Sequence, residues 1–392
     1  MKYFHKNHHL VGGTLLVAGT SIGVGMLALP VATAAGGFFP AIGIYIIAWI
    51  FMVAIGLLIL EACIWCPKDA NLITLSRTLL GSKGAAACWI LYLFLLYCLM
   101  VAHTAIGGSA IKEIGLPGPD WLFAALYVAV FAPVVYLGTQ WVDRLNVLLM
   151  LGLILTFFLF FFSSFDQIQP TLLLRMNWSK AWLALPVVVT AFGFQTLIPT
   201  LMTYMERDHK KVRKAIWLGT SIPLILYSIW ELIILGIIPL DLLLDAAKLG
   251  ENAVIPLQNA VQKGTLGKIG ELFAFFAMTT SFIGLSLAFF DFWADGLNWE
   301  KKGLKKIGLC ALVFLIPLCI VFVDPEIFLK ALNLAGGIGV ALLFGVLPVL
   351  LVWSGRYSLK HSSLHVQLGG GKALLALLLL FSLFMMIMGF IS

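Results

Sequence analysis

The residues of this sequence that can do chemistry are concentrated in two glycine-containing segments that interrupt long apolar runs. The first is Gly19-Thr-Ser-Ile-Gly-Val-Gly25, followed by Pro30, and the second is Thr190-Ala-Phe-Gly-Phe-Gln195, preceded by Pro186. Glycine destabilises a helix by about 1 kcal/mol relative to alanine, and proline removes a backbone hydrogen bond. Both segments therefore predict a helix that is broken near its middle.

A broken helix within a membrane creates a binding site for a zwitterion. The half-helix N-termini direct unpaired N–H groups at a carboxylate, while exposed carbonyls accept an ammonium group or a cation. Hydroxyl and amide side chains add neutral polar contacts, and phenyl rings offer an aromatic surface. This pattern favours an amino acid over a sugar or an inorganic ion. The predicted substrate contacts in the two segments are Gly19, Thr20, Ser21, Gly23, Gly25, Thr190, Phe192, Gly193, Phe194 and Gln195.

Two ionisable side chains, His103 and Glu231, lie within other apolar runs. Such groups are costly in a bilayer and usually mark a functional pathway. Both are expected in the outer third of their helices, where water can reach them. His103 is a candidate for substrate or proton binding because imidazole titrates near neutral pH, and packing is its alternative. Glu231 is a candidate for coupling or gating, with a solvated vestibule residue as its alternative.

Five more polar or aromatic residues have two interpretations each. Tyr97 can contact an aromatic substrate or simply pack against other helices. Thr280 and Ser281 can join carbonyls of the first broken helix in a small-cation site, or only fasten two helices together. Asp291 and Asp295, at a helix end, can belong to a gate or be solvated loop residues.

The elements that must position these residues are membrane-spanning helices. Of the 392 residues, 61% are apolar and only 11% are charged, whereas a soluble domain carries about 25% charged residues. This composition excludes soluble, disordered and disulfide-scaffold classes, and continuous apolar runs exclude a β-barrel. Hydropathy predicts spans near 10–35, 37–63, 84–110, 121–139, 143–163, 182–204, 214–238, 268–292, 306–323, 326–353 and 372–391.

The two glycine-containing segments correspond when the chain is shifted by 170 residues, since Thr20 then meets Thr190 and Gly23 meets Gly193. Each begins a set of five spans, and an odd number of spans per repeat inverts the second copy. The predicted fold is an all-α polytopic membrane protein of eleven transmembrane helices, with helices 1 and 6 broken. Its single membrane domain, 1–392, is expected to contain inverted repeats at 10–163 and 182–353 and an additional helix at 372–391.

Charge and short motifs add orientation and exclude most cofactors. Lys and Arg are concentrated in the loops on the side of the N-terminus, so the positive-inside rule predicts a cytoplasmic N-terminus and an outside C-terminus. The net charge of +7 is explained by topology and gives no sign of nucleic-acid binding. Gly23-x-Gly25-x-x-Ala28 lacks the strand–helix context of a dinucleotide site, and Cys63-x-x-Cys66 lacks two further zinc ligands. No cofactor or metal is expected.

Several motifs together resemble the aromatic amino acid permeases of bacteria, which are specific for tyrosine or tryptophan. They are residues 19–30, 185–194, 281–284 and 290–296. The resemblance extends over nearly the whole chain. It implies the inverted-repeat fold of the amino acid–polyamine–organocation superfamily and proton symport of tyrosine or tryptophan by alternating access. It also implies the bacterial inner membrane, with a periplasmic C-terminus. Where the family usually ends the motif of helix 6 with histidine, this chain has Gln195.

The expected partners are an aromatic amino acid, protons and the lipid bilayer, and the oligomeric state is open. One alternative is sodium-coupled transport of a small neutral amino acid, for which Thr280 and Ser281 would bind the ion. A channel is an alternative of a different class. An enzyme is not expected, because the sequence has no HExxH motif, paired intramembrane aspartates or serine–histidine arrangement.

Overall fold

The computed structural model describes residues 2–68, 70–112, 117–261, 264–361 and 366–391. In this part of the chain, ten helices are long and apolar enough to cross a membrane, and the bent pair at the N-terminus makes eleven. The predicted all-helical fold is therefore confirmed. The spans are 1, Lys2–Ser21 (1a) and Val24–Thr33 (1b); 2, Phe38–Trp65; 3, Leu72–Lys112; 4, Asp120–Leu137; 5, Thr139–Ser164; 6, Trp178–Tyr204, including Leu185–Ala191 (6a) and Ile198–Tyr204 (6b); 7, His209–Ile237; 8, Thr265–Leu297; 9, Gly303–Val323; 10, Phe328–Ser358; and 11, Gly371–Ile391.

Most helices extend a few residues beyond the apolar runs that predict them, because a helix continues into the polar margin of the membrane. The largest difference is in span 3, which begins at Leu72 instead of near residue 84. Gly81 interrupts this helix with a positive φ of 77°, a conformation that glycine adopts without steric cost. Residues before Gly81 form a short helix that the hydropathy of the chain does not reveal.

Spans 1 and 6 are broken where the sequence predicts. The two parts of span 1 meet at 52°, and Gly23 lies at the break in an extended conformation. In span 6 the helical geometry ends at Ala191 and resumes at Gln195, which leaves Phe192–Phe194 unwound. Helices 1a and 6a thus both end near the middle of the molecule, and helices 1b and 6b begin there.

Span 10 deviates from the α-helix in a different way. Residues Ala335–Val346 form a π-helix between two α-helical parts. Its Gly336 lies directly against the Pro186 carbonyl and the Thr190 hydroxyl of helix 6a, and any side chain there would collide with them. Span 10 therefore packs closely against helix 6a at Gly336, whereas Gly337 faces Gly389 of span 11.

The molecule has two ends, which we call the N-terminal face and the opposite face. At the N-terminal face, Arg207 donates to the carbonyls of Cys63, Ile64 and Cys66 and so caps span 2. Nearby, Arg356 of span 10 binds both carboxylate oxygens of the buried Glu61 at 2.7 and 2.8 Å. These contacts fasten spans 2, 6 and 10 to one another at this end.

The opposite face is covered by the segment between spans 7 and 8, which forms helices Leu240–Lys248 and Val254–Ala260. The N–H of Ala253, between these helices, donates to the Leu27 carbonyl of helix 1b at 3.1 Å. Both residues are buried. The segment thus lies over helix 1b and closes this end of the molecule.

Buried apolar residues form two clusters. The larger is centred on spans 1, 2, 6, 7 and 10 and also includes residues of spans 3, 5, 8 and 11. The smaller consists only of residues from spans 3, 4, 5, 8 and 9. Spans 3, 5 and 8 therefore contribute to both clusters.

Candidate functional site

The break of span 1 lies against span 8. A Cβ atom on Gly23 would be 2.6 Å from the Ser281 hydroxyl oxygen and 3.0 Å from the Ser281 Cβ. Both distances are shorter than ordinary van der Waals contact. Glycine is needed here because it lets the unwound backbone approach the serine of the neighbouring helix.

The breaks of spans 1 and 6 also contact each other. A Cβ atom on Gly25 would be 2.9 Å from the Cα and Cβ of Ala191, the last residue of helix 6a. Gly193 is less confined, since its nearest neighbour would be the Thr190 carbonyl at 3.1 Å. The structure therefore brings together the two segments in which the sequence places the substrate contacts.

Tyr227 of span 7 joins the two breaks, and the sequence analysis missed it. Its buried hydroxyl lies 2.6 Å from the Ser21 carbonyl, at the end of helix 1a, and 2.9 Å from the Ala191 carbonyl. One hydroxyl hydrogen can be donated to one of these carbonyls at a time. The negative ends of two half-helices thus converge on a single donor, which is a favourable place for a substrate ammonium group.

The N-terminus of helix 1b provides the complementary charge. Its N-cap residue, Gly23, has no side chain that could cap the free N–H groups, so they remain suited to bind a carboxylate. The corresponding region of span 6 is already satisfied, because Gln195 accepts from the Phe194 N–H at 2.9 Å. Gln195 also donates to the Met52 carbonyl at 3.2 Å. Its amide therefore anchors the break of span 6 to span 2.

The aromatic residues of the second break face protein. Phe192 packs edge-on against Tyr227, with ring centroids 5.2 Å apart, and Phe194 lies over Gly56 of span 2. Both rings are fully buried. They define the wall behind the site instead of an open aromatic surface.

His103 connects span 3 to the site through Ser281. Its Nδ1 lies 2.7 Å from the Leu99 carbonyl, and its Nε2 lies 2.9 Å from the Ser281 hydroxyl oxygen. A carbonyl can only accept, so Nδ1 carries a proton, and in the neutral ring Nε2 accepts from Ser281. The residue is buried, at 3% exposure. The expectation that water reaches it was wrong, because the imidazole faces the neighbouring helix.

Glu231 lies at the other end of helix 1b, toward the opposite face. The Tyr45 hydroxyl donates to its carboxyl group at 2.6 Å, and the single Thr33 hydroxyl hydrogen is shared between that group and the Leu29 carbonyl. Glu231 is fully buried, and within the described residues it forms no ion pair. The expectation of water access was wrong here too. Glu231 links the end of helix 1b to spans 2 and 7.

An exposed stripe of span 8 runs from Ser281 toward the N-terminal face. Along span 8, Gly284 and Ala288 are exposed on the same side of the helix as Ser281. In the other half of this helix Leu272 is exposed, and it lies about 180° around the helix axis from Ser281. A Cβ on Gly284 would meet no atom within 4 Å. Helix 6b also exposes a threonine, at position 200. We call the exposed surface formed by Ser281, Gly284 and Ala288 the vestibule.

The remaining predicted residues divide between this vestibule and the surrounding packing. Gly19 and Thr20 of helix 1a are exposed, and Thr20 bonds within its own helix. At the mouth of the vestibule, Asp295 is exposed. Asp291 pairs at 2.8 Å with Lys301, which lies in the loop between spans 8 and 9.

Three other predicted residues bond within the packing of the helices. Thr190 donates to the Pro186 carbonyl of helix 6a at 2.8 Å, and Thr280 donates to the Ala277 carbonyl of its own helix at 3.1 Å. Tyr97 lies away from the breaks, since its hydroxyl donates to the Leu312 carbonyl of span 9 at 3.1 Å. Tyr97 therefore belongs to the packing of spans 3, 8 and 9.

The fold and its two facing breaks define a polytopic membrane transporter of the inverted-repeat class. The structure is similar to the crystal structure of MhsT in complex with L-phenylalanine, with a TM-score of 0.65 and 14% identity over 97% of this chain and 98% of that one. The chain belongs to the tryptophan/tyrosine permease family, whose model matches residues 6–389.

Two curated relatives have names that include a substrate. A tryptophan-specific transport protein of Pseudomonas aeruginosa is 29% identical over 95% of this chain and 92% of its own length. The tyrosine-specific transport system 1 of Haemophilus influenzae is 32% identical over 94% of this chain and 93% of its own length. The similarity therefore covers the whole membrane domain and both breaks.

Proposed function

We propose that this protein is a secondary active transporter that imports an aromatic amino acid, tryptophan or tyrosine, together with protons. The family and the names of the relatives support the substrate class. In this proposal the protein lies in the bacterial inner membrane, and the N-terminal face is cytoplasmic, as the distribution of Lys and Arg favours. The C-terminus is then periplasmic.

The observation that carries the proposal is the convergence of the ends of helices 1a and 6a on the Tyr227 hydroxyl, beside the start of helix 1b. The uncapped N-terminus of helix 1b would bind the substrate carboxylate. The Ser21 and Ala191 carbonyls, which share the Tyr227 hydroxyl, would bind the ammonium group through their remaining lone pairs. The aromatic side chain would extend into the space beside Gly284, where the structure has room.

Alternating access would occur by movement of the two apolar clusters relative to each other. In this proposal the described conformation is the one that releases substrate into the cytoplasm. The exposed stripe of span 8 on the N-terminal side and the segment with Ala253 over helix 1b support this assignment. Glu231 and His103, the buried ionisable groups beside helix 1b, are the candidates for coupling to protons.

The test is uptake of tritiated tryptophan and tyrosine by purified protein in liposomes, with proton and sodium gradients imposed separately. We expect accumulation that follows the proton gradient and does not need sodium. Sodium dependence without a response to pH would contradict proton coupling and indicate sodium symport. Competition by the twenty amino acids would contradict the substrate class if small neutral amino acids compete best.

A channel is distinguished from a carrier by counterflow. Liposomes loaded with unlabelled tryptophan should accumulate labelled tryptophan against its gradient, since outward and inward movement share one site. A channel cannot produce this accumulation. Its absence, together with rapid equilibration of the label, would overturn the transporter mechanism.

A further inference from the structure

Ser281 occupies a position from which one hydroxyl serves two sites. Its oxygen lies 2.9 Å from the His103 Nε2 on one side and faces Gly23, at the uncapped start of helix 1b, on the other. Unlike His103, it is only partly buried and borders the vestibule. Anything that sets the direction of this hydroxyl therefore also sets the polarity of the predicted carboxylate site.

The direction of the Ser281 O–H bond is set by the protonation state of His103. The Leu99 carbonyl fixes the proton of the neutral ring on Nδ1, so Nε2 is an acceptor and the Ser281 O–H points to it. The lone pairs of the serine oxygen then face the break of span 1. In the imidazolium form both nitrogens donate, so Nε2–H donates to the serine oxygen and the serine hydrogen turns away from the histidine.

We propose that Ser281 changes from a hydrogen-bond acceptor to a donor at the break of span 1 when His103 gains a proton. The inference rests on the proposed function and names its coupling element. In the donor state the hydroxyl adds to the free N–H groups of helix 1b and binds the substrate carboxylate. In the acceptor state its lone pairs repel that carboxylate.

This arrangement makes the coupling between proton binding and substrate binding positive, as symport requires. A proton on His103 strengthens carboxylate binding, and by linkage the bound carboxylate strengthens proton binding by the same factor. The proton and the amino acid are therefore bound together and released together. Sodium is not needed for this coupling.

Other titratable groups near His103 are engaged elsewhere. From span 4, Tyr127 donates to Thr279 at 3.4 Å, and from span 7, Tyr227 donates to the two backbone carbonyls. Glu231 is bonded to Thr33 and Tyr45 beyond the far end of helix 1b. Among the described residues, His103 forms no ion pair, so its partner in the switch is Ser281.

The test is equilibrium binding of tritiated L-tryptophan to the full chain in nanodiscs between pH 5.5 and 8.5. For the unmodified protein we expect the affinity to rise about tenfold toward low pH, a typical coupling. Ser281→Ala should reduce this ratio to about twofold or less, with tighter binding at high pH, because the repelling lone pairs are gone, and weaker binding at low pH, because the donor is gone. A merely structural role would weaken binding equally at every pH.

Ser286→Ala is the matched control. Ser286 lies on the same helix, and its hydroxyl donates to the Phe282 carbonyl one turn earlier in that helix, at 2.6 Å. This variant should retain the full pH dependence. Tryptamine lacks the carboxylate, and its primary alkyl amine stays protonated over this pH range as that of lysine does, so it should compete with little dependence on pH. The proposal is overturned if Ser281→Ala keeps the unmodified pH ratio, or if Ser286→Ala loses it as well.

A second measurement needs no substrate. In protein labelled with 15N-histidine at high pH, the signals absent from His103→Gln should report the tautomer with the proton on Nδ1. The Nε2–H tautomer would overturn the switch. If the unmodified protein binds neither tryptophan nor tyrosine at any pH, the proposed function fails, whereas the tautomer still decides the hydrogen bond on which this inference depends.

Discussion

At the scale of single residues, the two breaks depend on glycines, which have no side chain. From the sequence Gly23 and Gly193 are expected to be equivalent, because they coincide when the chain is shifted by 170 residues. The structure separates them, since a Cβ on Gly23 would meet Ser281 at 2.6 Å, whereas one on Gly193 would meet the Thr190 carbonyl at 3.1 Å. Gly23 is therefore the more demanding position.

Gly23→Ala tests this difference. We expect the methyl group to force helix 1b away from span 8 and to lower tryptophan uptake at least about tenfold, the effect of about 1.4 kcal/mol. Gly193→Ala should have a smaller effect. The measurement is the initial rate of uptake in liposomes, normalised to the amount of inserted protein.

Gly369→Ala is the control for the same chemical change, because a Cβ there would meet no atom within 4 Å and its φ is not positive. It should transport normally. Normal kinetics of Gly23→Ala would show that span 8 can move to accommodate the methyl group, and would contradict the requirement for glycine beside Ser281.

At the scale of elements, helix 1b is held at both ends. Its start faces Ser281, and its last residue, Thr33, donates to Glu231, which also accepts from Tyr45. A hydrogen bond contributes about 0.5–1.5 kcal/mol, and more when one partner is charged. The three residues thus stabilise the contact of helix 1b with spans 2 and 7 at the opposite face.

A double-mutant cycle measures this contact. Thr33→Val should lower uptake about tenfold, because it leaves a buried carboxylate with one donor fewer. The double variant Thr33→Val with Glu231→Gln should be no worse than Glu231→Gln alone, because both remove the same interaction. Thr156→Val is the control, since that buried hydroxyl donates only within its own helix. Additive effects would mean that Thr33 and Glu231 act independently.

The start of span 7 gives a prediction on stability. Asp208 accepts from the N–H groups of Lys210 and Lys211 at 3.1 Å each and pairs with the Lys211 ammonium group at 3.4 Å. Partial burial alone would raise the pKa of Asp208, but these hydrogen bonds and the charge of Lys211 outweigh it, so the pKa lies below its usual value. The carboxylate therefore stabilises the folded state.

Asp208→Ala should lower the free energy of unfolding by about 1 kcal/mol at pH 7, the usual contribution of an N-cap. Because the folded-state pKa is lowered, this difference is complete above about pH 4 and disappears as the pH falls through the folded-state value. Thermal unfolding in detergent, at pH 7 and at a pH below the folded-state pKa, measures this difference in stability. Asp245→Ala should change stability less, since that carboxylate is in an exposed pair with Lys248. A pH-independent loss would contradict the capping role.

The sequence predicts the elements well because their signals are local. Apolar runs mark the spans, and glycine with proline marks the breaks of spans 1 and 6. Partners far apart in the chain leave no such signal, and nothing in the sequence of span 7 shows that Tyr227 faces the Ser21 and Ala191 carbonyls. Depth along a span also says nothing about the direction of a side chain, which is why His103 and Glu231 were expected in contact with water.

At the scale of the whole molecule, the proposed alternating access requires one group of helices to move against another. Spans 3, 4, 5, 8 and 9 contain an apolar cluster of their own, which makes them the moving body in this proposal. In the described conformation the exposed stripe of span 8 leads to the N-terminal face. The other end is closed by the bond from Ala253 to Leu27.

Cysteine labelling tests both the orientation and the open end. Thr200→Cys places a thiol on the exposed side of helix 6b, and Leu249→Cys places one on the segment at the opposite face, where Leu249 is 49% exposed. A membrane-impermeant maleimide should modify Thr200→Cys in inside-out vesicles and Leu249→Cys in right-side-out vesicles, after subtraction of the native cysteines. Reaction of both thiols from the reversed sides would invert the proposed topology. Failure of Thr200→Cys to react from either side would mean that the vestibule does not reach the N-terminal face.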